Sequence, residues 1–177
     1  VTTRVQDQYT RDLLEDDPPQ IAEALQSWIA GIRVAIGRVN RGMTDWNARV
    51  TEEFHAKRGR GVGRWGDSLL LLTTRGAKSG VVRTTPLVYH RDGERYIIAA
   101  SKGGAPAHPS WYHNLVKHRD AEIEVGTEKI KVRATPIPDG PERDRLYEAH
   151  GKAFAAFRDY PMKTKRIIPV VVLERVP

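Results

Sequence analysis

Apolar and polar positions follow two different periods along this chain, and the change falls near residue 45. From Ile21, apolar residues recur at Leu25, Trp28, Ile29, Ile32, Ile36 and Val39, a three-to-four spacing that predicts an amphipathic helix over 20–40. A polar arm ending at Pro18-Pro19 precedes it. A second helix is expected over Asp45–Lys57, capped by Thr44 or Asp45, with Trp46, Val50 and Phe54 on one face. It stops in Arg58-Gly59-Arg60-Gly61-Val62-Gly63, a loop by composition.

From Ser68 onward the pattern predicts strands, at Ser68–Thr74, Val81–His90, Arg95–Ala100, Ala121–Val125, Lys129–Pro136 and Pro169–Val176. Asp92-Gly93 and Gly126-Thr127 stand where hairpin turns join neighbours. Two helices interrupt the strands. One starts near Pro109 and carries Trp111, Leu115 and Val116; the other starts at Pro141 and runs through Leu146, Tyr147, His150, Phe154 and Phe157. The class is α+β: a small, mainly antiparallel barrel with peripheral helices and an extra N-terminal helix. The expected division is an arm and helix over 1–44 and a barrel domain over 45–177.

Charge sharpens this picture. Of 177 residues, 29 are Lys or Arg and 22 are Asp or Glu, a formal charge of +7, which favours an anionic partner. Residues 41–83 alone hold nine basic and four acidic side chains, so the excess is local. Nucleic acid fits poorly, because only Trp46, Phe54 and Trp65 interleave that stretch as stacking platforms. There is no cysteine, hence no disulfide framework, thiolate metal site or cysteine nucleophile. The longest apolar runs fall far short of the ~20 residues a spanning helix needs, and a cytoplasmic protein is expected. The helix over 20–40 either packs on the body or a partner subunit, or lies on a membrane surface at the inner face of the cell. Oligomeric state stays open.

Candidate chemistry concentrates in two loops. Gly76-Ala77-Lys78-Ser79-Gly80 lies between two strands, with Arg75 before it and Arg83 after. Glycines free backbone N–H groups to face an anion, and Lys, Arg and Ser add donors. A strand follows where a Walker loop leads into a helix, so the choice here lies between an anion loop and a solvated basic turn. Ser101-Lys102-Gly103-Gly104 follows an apolar strand, and His108-Pro109-Ser110-Trp111-Tyr112-His113-Asn114 then opens a helix. Two basic glycine loops and a helix start within ~40 residues compose a phosphate cradle. His108, His113 and His118 recur every five residues and spread around that helix, so they suggest no metal site. Ser101 lacks the Gly-x-Ser-x-Gly context of an esterase.

The stretches LLLLTTRGAKSGVVRTTPL, AASKGGAPAHPSWYHNL and IPVVVLE, with Trp46-Asn47 and Glu52-Glu53-Phe54 before them, resemble the deazaflavin-dependent nitroreductase family. These are split-barrel (FMN-binding-like) reductases of actinobacteria that use coenzyme F420, and the resemblance covers about residues 45–176. It implies that Lys78, Ser79 and Arg83 bind the coenzyme's phosphate and oligoglutamate tail. Ser101, Lys102, Gly103 and Gly104 match the segment along the deazaflavin and its phosphodiester, Pro86 and Leu87 match residues beside the ring, and Trp111 matches the tryptophan after the helix start. Where the family's nitroreductase carries tyrosines over the substrate, this chain has Val88, Phe154 and Phe157 and keeps only Tyr160; Tyr89 has the opposite strand parity. The implied activity is hydride transfer from reduced deazaflavin to a hydrophobic acceptor such as a quinone or nitroaromatic. Ser101 and Tyr160 are the expected hydrogen-bonding groups to that acceptor. The alternative is a non-catalytic split barrel holding a flavin, haem product or fatty acid.

Overall fold

The computed structural model describes residues 26–27 and 45–177. The chain divides into two units, Val1–Trp46 and Asn47–Pro177, and the second carries the architecture below. Of the helix expected over 20–40, residues 26 and 27 are described and are helical. The polar arm, the Thr44 cap and the expected membrane or subunit contact lie outside the described residues. Among the described residues, no helix is long and apolar enough to cross a membrane.

Residues 45–56 are helical (α1). Seven strands follow: β1 (Leu69–Arg75), β2 (Val82–Val88), β3 (His90–Asp92), β4 (Arg95–Ala99), β5 (Asp120–Val125), β6 (Glu128–Ile137) and β7 (Val170–Arg175). Helix α2 (Ser110–Lys117) lies between β4 and β5, and α3 (Pro141–Ala153) and α4 (Ala156–Asp159) lie between β6 and β7. All pairings are antiparallel, in the order β2-β1-β5-β6-β7-β4-β3.

That order explains the barrel. β2 and β3 occupy opposite ends of the hydrogen-bonded series, yet Tyr89 alone separates them in the chain. Consecutive Cα atoms are only ~3.8 Å apart, so the sheet must roll until its two ends meet at Tyr89. The single strand expected over Val81–His90 is therefore two strands, bent where the chain passes from one sheet edge to the other. The remaining strands fall within a residue or two of expectation, because alternation and the two-residue turns at Gly93 and Gly126, both with positive φ, fix them.

Burial sorts each strand by face. Leu70, Leu72, Ile98, Ile123, Val132, Val171 and Leu173 point into the barrel core. Leu69 and Leu71 point outward into a second cluster with Val50 and Phe54 of α1. Ile97, Val170 and Val172 point outward into a third, with Leu146 and Tyr147 of α3. The Leu69–Leu72 run is apolar at every position because both its faces are covered. On β5 and β6 the outward positions are charged, with Glu122 against Lys131 and Glu124 against Lys129, and here the alternation is clean. Each fully buried leucine or valine adds roughly 1.5–3 kcal/mol.

The helix expected from Pro141 through Phe157 is two helices. Phe154 is extended (φ −135°, ψ 96°), and Phe157 belongs to the short α4. Arg158 explains the break: its Nε donates to the Gly151 carbonyl at 3.0 Å, satisfying an orphan acceptor at the helix end.

Candidate active site

The Ser101–Gly104 loop leaves the end of β4. Ala100 still donates to the Pro169 carbonyl at 2.8 Å, and then the backbone turns sharply. Ser101 is right-handed helical (φ −72°, ψ −41°), whereas Lys102, Gly103 and Gly104 have φ of +49°, +65° and +85°. A right-handed residue followed by a left-handed one turns successive N–H groups toward one concave side, a backbone nest that suits an anion. Among the described residues, none accepts from the N–H groups of Ser101, Lys102 or Gly103. Lys102 holds its left-handed conformation without being glycine, at a cost of roughly 1–2 kcal/mol. Gly104 is required: a Cβ there would lie 2.8 Å from the Lys163 Cβ and 3.1 Å from the Tyr160 carbonyl oxygen.

The second loop caps the β1–β2 hairpin. Gly76 donates to the Val81 carbonyl at 2.8 Å and Gly80 to the Gly76 carbonyl at 2.9 Å. Helix α2 holds this loop from the side. Asn114, buried, accepts from the Ala77 N–H at 2.9 Å and donates through Nδ2 to Thr74 Oγ1 at 3.0 Å. Lys117 Nζ donates to the Ala77 carbonyl at 2.6 Å. Lys78, Ser79 and Arg83 are exposed, and among the described residues neither Lys78, Arg83 nor Lys102 pairs with a carboxylate. One helix thus connects the two loops, starting six residues beyond Gly104 and gripping Ala77 from its far end.

A wall of aromatic rings adjoins the first loop. Phe157 sits edge-on to His150 at 4.4 Å and to Tyr160 at 5.0 Å, and Phe154 lies 5.0 Å from His150. Tyr147 Oη donates to the Phe157 carbonyl at 2.8 Å, and burial pushes its phenol up to about 12. Tyr160 abuts Gly104 through its carbonyl, so wall and loop share one turn, Tyr160–Lys163. Behind the wall, the Nδ1 atoms of His90 and His150 are 2.9 Å apart. Both Nε2 atoms are buried without a partner. Burial, then the neighbouring His90, pushes His150 down to about 3, and burial also lowers His90. Both rings are neutral near pH 7, one donating to the other.

The expected residues are placed unequally. Lys78, Ser79 and Arg83 group at the hairpin loop, Ser101–Gly104 form the second loop, and Phe154, Phe157 and Tyr160 form the wall. Val88 packs with Val50, Phe54, Leu69 and Leu71, a separate cluster from that of Phe157 and Tyr160. Pro86 is buried opposite Leu71, on the other face of β2 from Leu87, which packs against the barrel core. Trp111 is 7% exposed and belongs to that core. Asn114, Lys117, His150 and Arg166 lie at the site but outside the set of site residues expected from the sequence. Asn114 had a signal, since it falls between Trp111 and Leu115 on the buried side of α2. Arg166 had none.

A family model described as F420H(2)-dependent quinone reductase matches residues 46–175. An F420H(2)-dependent quinone reductase of Mycobacterium tuberculosis is 48% identical over 108 residues, 60% of this chain and 72% of that one. A solved F420-H2 dependent reductase is 35% identical, with TM-score 0.55 over 60% of this chain and 94% of its own. Another structure, described as a domain-swapped dimer, is 34% identical with TM-score 0.58, covering 74% of this chain and 98% of its own. The loops, the aromatic wall and the rolled sheet all lie within the matched span, and the chain belongs to the F420H(2)-dependent quinone reductase family.

Proposed function

We propose that this protein reduces a quinone at the expense of reduced coenzyme F420. The observation that carries the reading is the pair of donor loops tied together by α2. The Ser101–Gly103 N–H groups and the side chains of Lys78, Arg83 and Lys102 lack anionic partners among the described residues. Neither loop contains an acid. A cofactor with a phosphodiester and an oligoglutamate tail suits both halves: the nest takes a compact phosphate oxygen, and the exposed cations take dispersed carboxylates.

When bound, the reduced deazaflavin supplies a hydride, and the protein's part is binding, orientation and shielding. Lys78, Ser79 and Arg83 hold the tail, and Ser101–Gly104 hold the phosphodiester. Leu87 and Trp111 bound the ring from the side of the barrel core, and Pro86 backs β2 from its other face. Phe154 and Phe157 offer an apolar, hydroxyl-free surface that excludes water, and Val88 backs β2 from the α1 side. Ser101 and Tyr160 donate hydrogen bonds to the acceptor oxygen, and solvent supplies the proton that completes the quinol. Orientation alone accounts for up to roughly 7–11 kcal/mol of barrier lowering. The charge left at residues 1–44, at Arg33, Arg38 and Arg41, is assigned to contact with an anionic membrane surface, where a lipid quinone resides.

Two measurements test this reading. Fluorescence titration should show tighter binding of F420 than of FMN, which has one phosphate and no glutamate tail. Steady-state oxidation of reduced F420 should then proceed faster with menadione than with a nitroimidazole, because Tyr160 is the one hydroxyl among Phe154, Phe157 and Tyr160 to orient a nitro group. Preference for FMN, or no quinone turnover, would contradict it.

A further inference from the structure

We infer that Arg166 is a positioning residue that sets the direction of the backbone donors in the Ser101–Gly104 loop. This rests on the cofactor assignment above for its consequence, though not for its geometry. Arg166 lies between the Tyr160–Lys163 turn and β7, over 60 residues from the loop in sequence. Its guanidinium nevertheless reaches four groups there. Nη2 donates to the carbonyls of Ala100 at 3.1 Å and Ser101 at 2.7 Å. Nε donates to the Ala105 carbonyl at 2.8 Å, and Nη1 approaches His108 Nδ1 at 3.0 Å.

The peptide group makes these bonds directional. In a trans peptide, C=O and the following N–H point opposite ways in one plane. Fixing the Ala100 oxygen therefore fixes the Ser101 N–H, and fixing the Ser101 oxygen fixes the Lys102 N–H. Both oxygens turn toward one guanidinium nitrogen, so both N–H groups turn away from it, onto the side left without protein acceptors. The planar fork supplies this pattern; a single ammonium point donor cannot span Ala100, Ser101, Ala105 and His108 together. The same clamp stabilises the left-handed Lys102, whose conformation needs surroundings that over-determine it.

Two further features mark the clamp as more than a structural tie. Among the described residues, no carboxylate pairs with Arg166. Burial lowers its basicity, but a guanidinium keeps its proton in proteins, so a positive charge stands behind the nest with no carboxylate paired to it among the described residues. An arginine can only donate, so His108 accepts through Nδ1 and carries its proton on Nε2. Arg166 thereby fixes a ring tautomer as well as two peptide planes.

The test uses Arg166→Lys, which keeps the charge and loses the fork, alongside Arg166→Ala. In the free full-length protein, exchange of the bonded amides of Ala100, Gly104 and Ala105 should quicken about tenfold in Arg166→Lys, while β5 and β6 keep wild-type protection. In titrations, the Kd for F420 should rise about tenfold, by the same factor for a deazaflavin lacking the glutamate tail, since the tail is held elsewhere. The KM for the quinone should stay unchanged, and guanidinium added to Arg166→Ala should restore part of the cofactor affinity. Wild-type exchange at Ala100, Gly104 and Ala105 in Arg166→Lys would overturn the inference, as would altered exchange with unaltered cofactor affinity. Failure of the wild-type protein to bind F420 would instead overturn the cofactor assignment, and the exchange experiment separates the two. Should Arg166→Ala not fold, the Arg166→Lys comparison decides alone.

Discussion

The two glycine loops both present donors outward, but they are held by opposite means. The Ser101–Gly104 loop is rigid from within: three consecutive residues have positive φ, Gly104 presses on the Tyr160–Lys163 turn, and Arg166 ties down its carbonyls. Its donors are main-chain groups whose direction is built in. The Gly76–Gly80 loop is closed by two main-chain hydrogen bonds and gripped from α2 at Ala77 by Asn114 and Lys117, while Lys78 and Arg83 pair with no carboxylate among the described residues. One loop suits a compact anion at a fixed place; the other suits a tail of variable length. Affinity should therefore depend on geometry in the first and on charge in the second.

The largest effect expected is from Gly104→Ala. The added Cβ meets Lys163 and the Tyr160 carbonyl in a left-handed conformation, at a cost of about 3 kcal/mol. Chemical denaturation should show that loss, and F420 titration should show loss of binding. An unperturbed midpoint would mean the loop is softer than its contacts imply.

Acid should loosen the wall beside the first loop before it touches the second. His150 is fully buried and pushed down to about 3, against 6.5 when unfolded, so between these values the unfolded chain binds more protons. Stability from this residue is complete above pH ~6.5 and falls with pH by about 1.4 kcal/mol per unit toward pH ~3. Asp92 and Arg145 act on the His90 side in opposite directions, the carboxylate favouring its protonation and the guanidinium opposing it. Equilibrium unfolding at pH 7 and pH 5 should differ by about 2 kcal/mol on this account, and His150→Phe should flatten that difference. An equally steep acid limb in the variant would move the cause elsewhere.

Asn114→Ala removes one buried and one part-buried hydrogen bond and should cost about 1–3 kcal/mol, with faster exchange at Ala77 and little change at Ser101–Gly104. Smallest in stability, within ~0.5 kcal/mol, should be Lys78→Ala and Arg83→Ala. Their effect should appear instead as weaker F420 affinity and a shallower dependence on NaCl. Equal salt slopes in Arg166→Lys and Lys78→Ala would erase the distinction between the loops.

Much of this was legible from the residues. Strand positions followed from alternation and from Gly93 and Gly126, and both loops declared themselves through Gly, Lys and Ser at strand ends. Closure at Tyr89 was hidden because a strand that changes partners midway keeps its alternation. The break at Phe154 was hidden because apolar spacing continues through Phe157; a distant cap, Arg158 on Gly151, ends the helix. Arg166 was hidden most deeply. In sequence it belongs to a basic run with Lys163 and Lys165, and bonds to main-chain carbonyls far along the chain leave no mark on the residues that supply them. Asn114 was visible in principle, as a polar side chain on the apolar side of a helix.

Reduced F420 bound at the two loops should give its electrons to a quinone held against the same site. Anaerobic stopped-flow absorbance on the full chain, preloaded with reduced F420 and mixed with menadione, tests it most directly. Cofactor oxidation should occur in a single turnover whose rate rises with menadione and saturates. Oxidation of the bound cofactor at a rate independent of menadione would contradict it.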